Sequence, residues 1–280
     1  MTSPSRPVTQ LDKSDVLSGL VGAWDAIDRL VDGLPESGWD APTPLPGWTV
    51  RAVVSHLIGT ESTLLGIPTP DADIDVSALE HVRNDFGAMN ERWVRHLSGE
   101  SGADLRKRFV AVTNDRRTML SDMSDDDWNA VTQTPGGPDT YGRFMRIRVF
   151  DCWMHEQDIR DALVRPASEN DLRGPAPRLA LDEMTTSMGY VVGKLGQAPE
   201  GSRILIDLTG PLARTIRVAV NGRGQLVEDF GGREPTATIR LDGLLFTRLA
   251  GGRTDSTDGV ELGGDHDVGT RIIEHLNYVI

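Results

Sequence analysis

The chain has a single cysteine, Cys152, so no internal disulfide can staple it. No eighteen-residue apolar stretch runs without a charge, which excludes a membrane-spanning helix. Residues 1–20 lack a basic segment followed by an apolar core, so no secretory leader is read there and the expected compartment is the cytoplasm. Basic residues are also scarce: 29 Lys and Arg stand against 42 Asp and Glu, a formal charge of -13. That excess repels a phosphate backbone, and nucleic acid is not expected as a partner. The remaining balance, 38% hydrophobic and 25% charged with Gly 30 and Pro 16, is that of a globular protein. At about 150 residues per domain, 280 residues allow two domains or one large one.

Hydrophobic period then divides the chain near residue 196. Before it the pattern is helical. In 13–34, Val16, Leu17, Leu20, Val21, Trp24, Ile27, Leu30 and Val31 recur at three and four, and Gly33-Leu34-Pro35 ends the run. A second helix starts after Leu45-Pro46-Gly47-Trp48 with Thr49 as N-cap, and its apolar face is Val50, Val53, Val54, Leu57 and Ile58. Amphipathic stretches follow at 75–97, 103–123 and 139–164, then a connecting helix at 178–195. The first four predict an up-and-down bundle. After 196 the period shortens to two: strands are expected at 203–208, 214–220, 225–230 and 237–241, with a hairpin at Asn221-Gly222. A short helix at 244–249, a Gly251-Gly252-Arg253 loop, a strand at 260–262 and a helix at 268–278 complete a small α+β domain. The expected domains are therefore 10–196 and 197–280, with the first ten residues frayed.

Chemistry concentrates on the fifth helix. Arg148, Asp151, His155 and Asp158 are spaced three, four and three apart, which places them on one face. Ile147 and Met154 flank that face on one side, and Cys152, Ile159 and Leu163 on the other, so the charged groups lie within the apolar stripe. Arg146, Glu156, Gln157, Arg160 and Asp161 are expected on the solvated side. Unpaired buried charges cost several kcal/mol, so the stripe must be satisfied internally. Two solutions are open. One is a divalent metal, zinc or another ion, held by Asp151 and His155 across one turn with His56 of the second helix as third ligand, leaving a vacant position. The other is a buried ion network of Arg148 with Asp151 and Asp158, His155 bonding to one of them. His155-Glu156 opens like the zincin motif, but Ile159 stands where its second histidine belongs, and a protease is excluded. Cys152 reads as an inert buried thiol, Trp48 and Trp153 as packing, and His81, His96, His266 and His275 as surface residues. Arg253 reads as either an anion-holding residue or a solvated turn.

Two segments, Leu45-Pro46-Gly47-Trp48-Thr49-Val50-Arg51 leading to Val54-Ser55-His56-Leu57, and residues 149–160 from Val149 to Arg160, resemble the mycothiol-dependent maleylpyruvate isomerase family. The resemblance extends over nearly the whole chain. It implies a DinB-like metal-binding four-helix bundle followed by a sterol-carrier-like α+β domain. It implies metal ligands at His56, Asp151 and His155, with Arg148 and Asp158 behind them, orienting His155 and balancing charge. The family pattern has glutamate where this chain has Asp151, a carboxylate one methylene shorter. An arginine of the second domain is implied in activity, and Arg253 stands in its neighbourhood. The implied cofactors are a divalent metal, zinc foremost, and mycothiol or a similar low-molecular-weight thiol. The implied partner is an electrophilic small molecule, and the activity is isomerase or S-transferase. Two other readings stand beside it: a lipid- or ligand-binding protein, whose 203–241 strands and Leu244, Leu245, Phe246 and Leu249 line a cavity, and a hydrolase with water at the vacancy.

Overall fold

A computed structural model describes residues 8–79, 82 and 84–279. His81 lies outside them, as do residues 1–7. The chain divides into two compact units, one ending at Ala167 and one beginning at Ser168.

The first unit is built on helices α1 (Lys13–Val31), α2 (Glu36–Trp39), α3 (Val50–Leu64), α4 (Asp85–Leu97), α5 (Gly102–Asp122) and α6 (Asp125–Asn129). A hairpin of β1 (Val131–Thr134) and β2 (Gly137–Thr140) then leads into the long helix α7 (Tyr141–Ala162). The caps are those that the sequence supplies: Asp12, Thr49, Ser101 and Thr140 each accept a backbone N–H at the first turn of α1, α3, α5 and α7. Helix α1 packs along α7, α3 along α5, and α1 on α5 with α3 on α7 closes a four-helix bundle. The fourth member is thus α7, and not the 75–97 stretch. Its described residues hold a short 3-10 turn (Val76–Ala78) and the shorter α4, which packs on α3, where a Cβ on Gly59 would fall 2.2 Å from Cγ of Trp93. The core is Leu20, Trp24, Ile27, Leu57, Leu105, Phe109, Val149 and Trp153, all buried.

Thr9, read as part of a frayed terminus, is instead pinned. Its N–H donates to Asp139 Oδ1 at 2.7 Å and its hydroxyl to Oδ2 at 3.0 Å, while Arg143 donates to Oδ2 at 2.9 Å. Burial works against the Asp139 charge, but the Thr9 N–H, Arg143 and the Thr140 N–H outweigh it and bring its pKa down to about 2. The folded value lies below the ordinary 3.8, so the stability this carboxylate adds is present above that pH and is lost as pH falls towards 2. Asp139→Asn is expected to cost about 2 kcal/mol at neutral pH and to flatten the loss of stability in acid, as read by urea denaturation along a pH series.

The second unit opens with α8 (Pro175–Tyr190), which continues as one wide turn over Val191–Leu195. Five strands follow, β3 (Arg203–Thr209), β4 (Arg214–Asn221), β5 (Arg223–Leu226), β6 (Ala237–Asp242) and β7 (Glu261–Gly264), with α9 (Gly243–Ala250) and α10 (His266–Glu274). The sheet order is β5-β4-β3-β6-β7, antiparallel except for the parallel β3/β6 pair. The β4/β5 hairpin turns at Gly222, whose φ of 67° is a conformation that only glycine adopts cheaply. Alternation puts Ile204, Ile206, Leu208, Ile216, Val218, Ile239 and Leu241 on a buried face, together with Phe246, Leu249, Val268 and Ile272 of the helices. The hydrophobic period changes near 196, but the division between units falls earlier because α8 packs on β4 and β5.

Candidate functional site

Three helical positions converge inside the first unit. His56 sits on α3, two turns beyond the Thr49 cap, and Asp151 and His155 are one turn apart on α7. The α3–α7 packing brings His56 Nε2 to 3.2 Å from Asp151 Oδ2, while His155 Nε2 stands 3.6 Å from Asp151 Oδ1. The two imidazole rings meet edge to face with centroids 4.9 Å apart. One ligand atom from each of the three residues lies within 4.8 Å of the others. Donors around a tetrahedral zinc stand about 3.3 Å from each other, so both carboxylate–imidazole separations fit such an ion.

His155 Nδ1 lies 2.9 Å from Asp158 Oδ2 and donates to it, which turns Nε2 towards Asp151. The Thr60 hydroxyl donates to the His56 carbonyl at 3.1 Å, and its oxygen stands 3.5 Å from His56 Nδ1. With Asp151 ionised, the His56 Nε2 contact is a donation to its Oδ2, and the proton on that nitrogen is the one that a cation would displace. Burial pushes the His56 imidazole below its ordinary pKa, favouring the neutral form that a metal requires. Burial also opposes the Asp151 charge, but Arg148 and the two imidazoles override it and hold the carboxyl well below its usual range. The donor set and its spacing therefore fit a divalent cation.

Behind the triad the expected ion network is present, with one member changed. Arg148 Nη1 donates to Asp151 Oδ2 at 2.5 Å, Nε and Nη2 donate to Glu61 of α3, and Nη2 also reaches Cys152 Sγ at 3.5 Å, while Asp158 pairs with His155. Glu61 also accepts from Arg116 of α5 at 2.8 Å, and both are fully buried. Metal-capable cluster and ion network thus share Asp151. Both residues were legible: Glu61 continues the Val54, Leu57, Ile58 stripe and Arg116 continues Leu105, Phe109, Val112, so each is a charge at an apolar position.

Trp48, read as packing, stacks on His155 at 6.1 Å and tilts over His56 at 5.4 Å. A tight loop holds it there: Thr43 N–H donates to the Trp48 carbonyl, Trp48 N–H to that of Leu45, and Gly47 takes φ 79°. Cys152 is buried and its thiol is pushed up by that burial, as expected of an inert group. His96, His266 and His275 are exposed. The solvated side assigned to α7 is a correction. Arg146, Glu156, Gln157 and Arg160 are all buried, and Glu156 pairs with Arg160 at 2.8 Å, an i,i+4 spacing that removes the need for water. Arg253 belongs to the second unit, where Nη1 donates to the Gly251 carbonyl at 2.5 Å. Among the described residues no helix is long and apolar enough to cross a membrane.

Comparison with known proteins gives the same two parts. The model of the mycothiol maleylpyruvate isomerase N-terminal domain matches residues 20–160, and that of the C-terminal domain of these isomerases matches residues 178–271. A crystal structure of the mycothiol-dependent maleylpyruvate isomerase superposes with a TM-score of 0.60 at 18% identity, covering 90% of this chain and 93% of that one. A histidine-to-alanine mutant of that isomerase gives 0.58 at 17% identity, with the same coverage. An uncharacterised protein of Mycobacterium tuberculosis is 27% identical over 206 residues, 73% of this chain and 76% of its own length.

Proposed function

The chain belongs to the mycothiol maleylpyruvate isomerase family, and on that premise we propose a metal-dependent enzyme that turns a mycothiol-type thiol on an electrophilic small molecule. The observation that carries this reading is the convergence of two imidazole Nε2 atoms on the Asp151 carboxylate, a donor set that a divalent cation takes. A divalent ion there, zinc foremost, supplies acidity to a thiol beside it, so that sulfur is available as thiolate near neutral pH.

The chain's own residues do the rest. Asp158 fixes the tautomer and the plane of His155. Arg148 keeps Asp151 ionised. Trp48 covers one side of both imidazoles with an apolar ring and limits the approach of water. A thiolate that adds to a conjugated cis double bond leaves a single bond free to rotate, and loss of the same thiol then gives the trans isomer. A thiolate that adds and stays attached performs an S-transfer. The family's name favours the first outcome.

The test uses the full chain with one equivalent of zinc, mycothiol and either maleylpyruvate or a generic electrophile. Metal-dependent acceleration of isomerisation or of thiol consumption is expected, and chelator-treated protein should lose it. Absence of acceleration with mycothiol and with any other low-molecular-weight thiol would defeat the proposal.

A further inference from the structure

Four charges, three of them buried, form an unbroken chain across three helices. Arg116 Nε donates to Glu61 Oε2 at 2.8 Å, Arg148 donates to Glu61 Oε1 from Nη2 at 2.8 Å and from Nε at 3.0 Å, and Arg148 Nη1 donates to Asp151 Oδ2. Glu61 and Arg116 are 0% exposed, and Arg148 4%. Only the last member belongs to the triad. Arg116 is further held by the Tyr141 hydroxyl at 3.2 Å and by the sulfurs of Met119 and Met145.

Fold stability is a weak reason for such a chain, because apolar side chains of similar volume usually serve a core as well as a buried ion network. Both α3 and α5 carry apolar stripes that run directly into Glu61 and Arg116, so leucine or methionine would have continued the pattern. The charges alternate and sum to zero. Arg148 and Asp151 cancel, as do Glu61 and Arg116, so losing either Glu61 or Arg116 alone, and not both, leaves a net charge beside the ligands. Glu61 offsets Arg148, and Arg116 in turn offsets Glu61.

We infer that Glu61 and Arg116 are positioning residues that set the charge of the triad: they leave a bound divalent cation most of its positive charge, to be met by an anionic sulfur ligand. This inference rests on the metal reading of the triad given above.

Cobalt(II) titration of the metal-free full chain, followed by visible absorption, reads cation affinity. Titration of the cobalt form with thiocyanate, a monoanion, and with imidazole, a neutral ligand, reads the open position. Arg116→Met leaves one net negative charge on the chain. It should bind cobalt on the order of tenfold tighter and thiocyanate on the order of tenfold weaker, with imidazole unmoved. Glu61→Gln leaves one net positive charge and should shift both quantities the other way. The double variant should return both to near the parent values. Weaker cobalt binding in both single variants, or thiocyanate and imidazole moving together, would show a merely structural chain and overturn the inference. Should Arg116→Met fail to fold, the isosteric Glu61→Gln decides alone, and unchanged cobalt and thiocyanate affinities in it overturn the inference. A parent protein that takes up no cobalt defeats the metal reading and this inference with it, whereas cobalt uptake without opposed shifts defeats only the inference.

Discussion

Alanine at His155 or at His56 should strip the protein of divalent metal while its far-UV circular dichroism keeps the helical signal. Each variant removes one of three donors that lie within 4.8 Å of one another, and the remaining pair cannot close a site. Loss of a residue behind a metal ligand commonly weakens binding about 10–100-fold, so loss of a ligand itself should exceed about 100-fold. Metal content after dialysis, measured by plasma emission, checks this directly. The fold should survive because His56 and His155 sit at the edge of the core, against Trp48 and the partly exposed Asp151, and the packing of α1 on α7 does not depend on them. If both variants unfolded globally in metal-free buffer, the histidines would belong to a structural ion network instead, and the cation reading would be lost.

The parts that were legible in the sequence are those with a period. The stripes of α1 and α3, the Thr49 cap and the 3-4-3 spacing on α7 each follow from local geometry, and they placed Asp151, His155, Arg148 and Asp158 on one face, where all but Asp151 are buried. The pairing of His56 with that face was an inference across two helices, which the α3–α7 contact makes concrete. What escaped was non-local. The parallel β3/β6 pair joins strands separated by a whole hairpin, and no turn signal announces it. The β1/β2 hairpin is short and polar, with Val131 61% exposed, so it lacked the alternation that marks a strand. The polar side of α7 passed for a wet face because Glu156 and Arg160 satisfy each other, and self-neutralised pairs look the same in sequence whether buried or exposed. The loop residue Trp48 gave no periodic signal, and its place over the two imidazoles depends on the turn at Gly47.

Methionine at Arg148 should be the most damaging single change for the metal-free fold, at about 3–5 kcal/mol. The guanidinium makes two bonds to Glu61 and one to Asp151. Asp151 is 29% exposed and can turn to water when the arginine goes, so little of the cost arises there. Glu61 has no such recourse: it is 0% exposed and keeps only Arg116, with one oxygen left bare in the core. Removing all three inner charges together, as Glu61→Met, Arg116→Met and Arg148→Met, should therefore recover most of what the single change loses, since no uncompensated charge remains. Urea denaturation of the metal-free proteins separates the two cases. Zinc should then act in a particular direction. Without Arg148 the Asp151 carboxylate keeps its full charge for a cation, so at one fixed zinc concentration metal should stabilise the variant at least as much as the parent, which gains about 3 kcal/mol where that concentration is a hundredfold above the parent's dissociation constant. A variant that metal cannot rescue would mean that Arg148 holds the geometry of the triad and not only its charge.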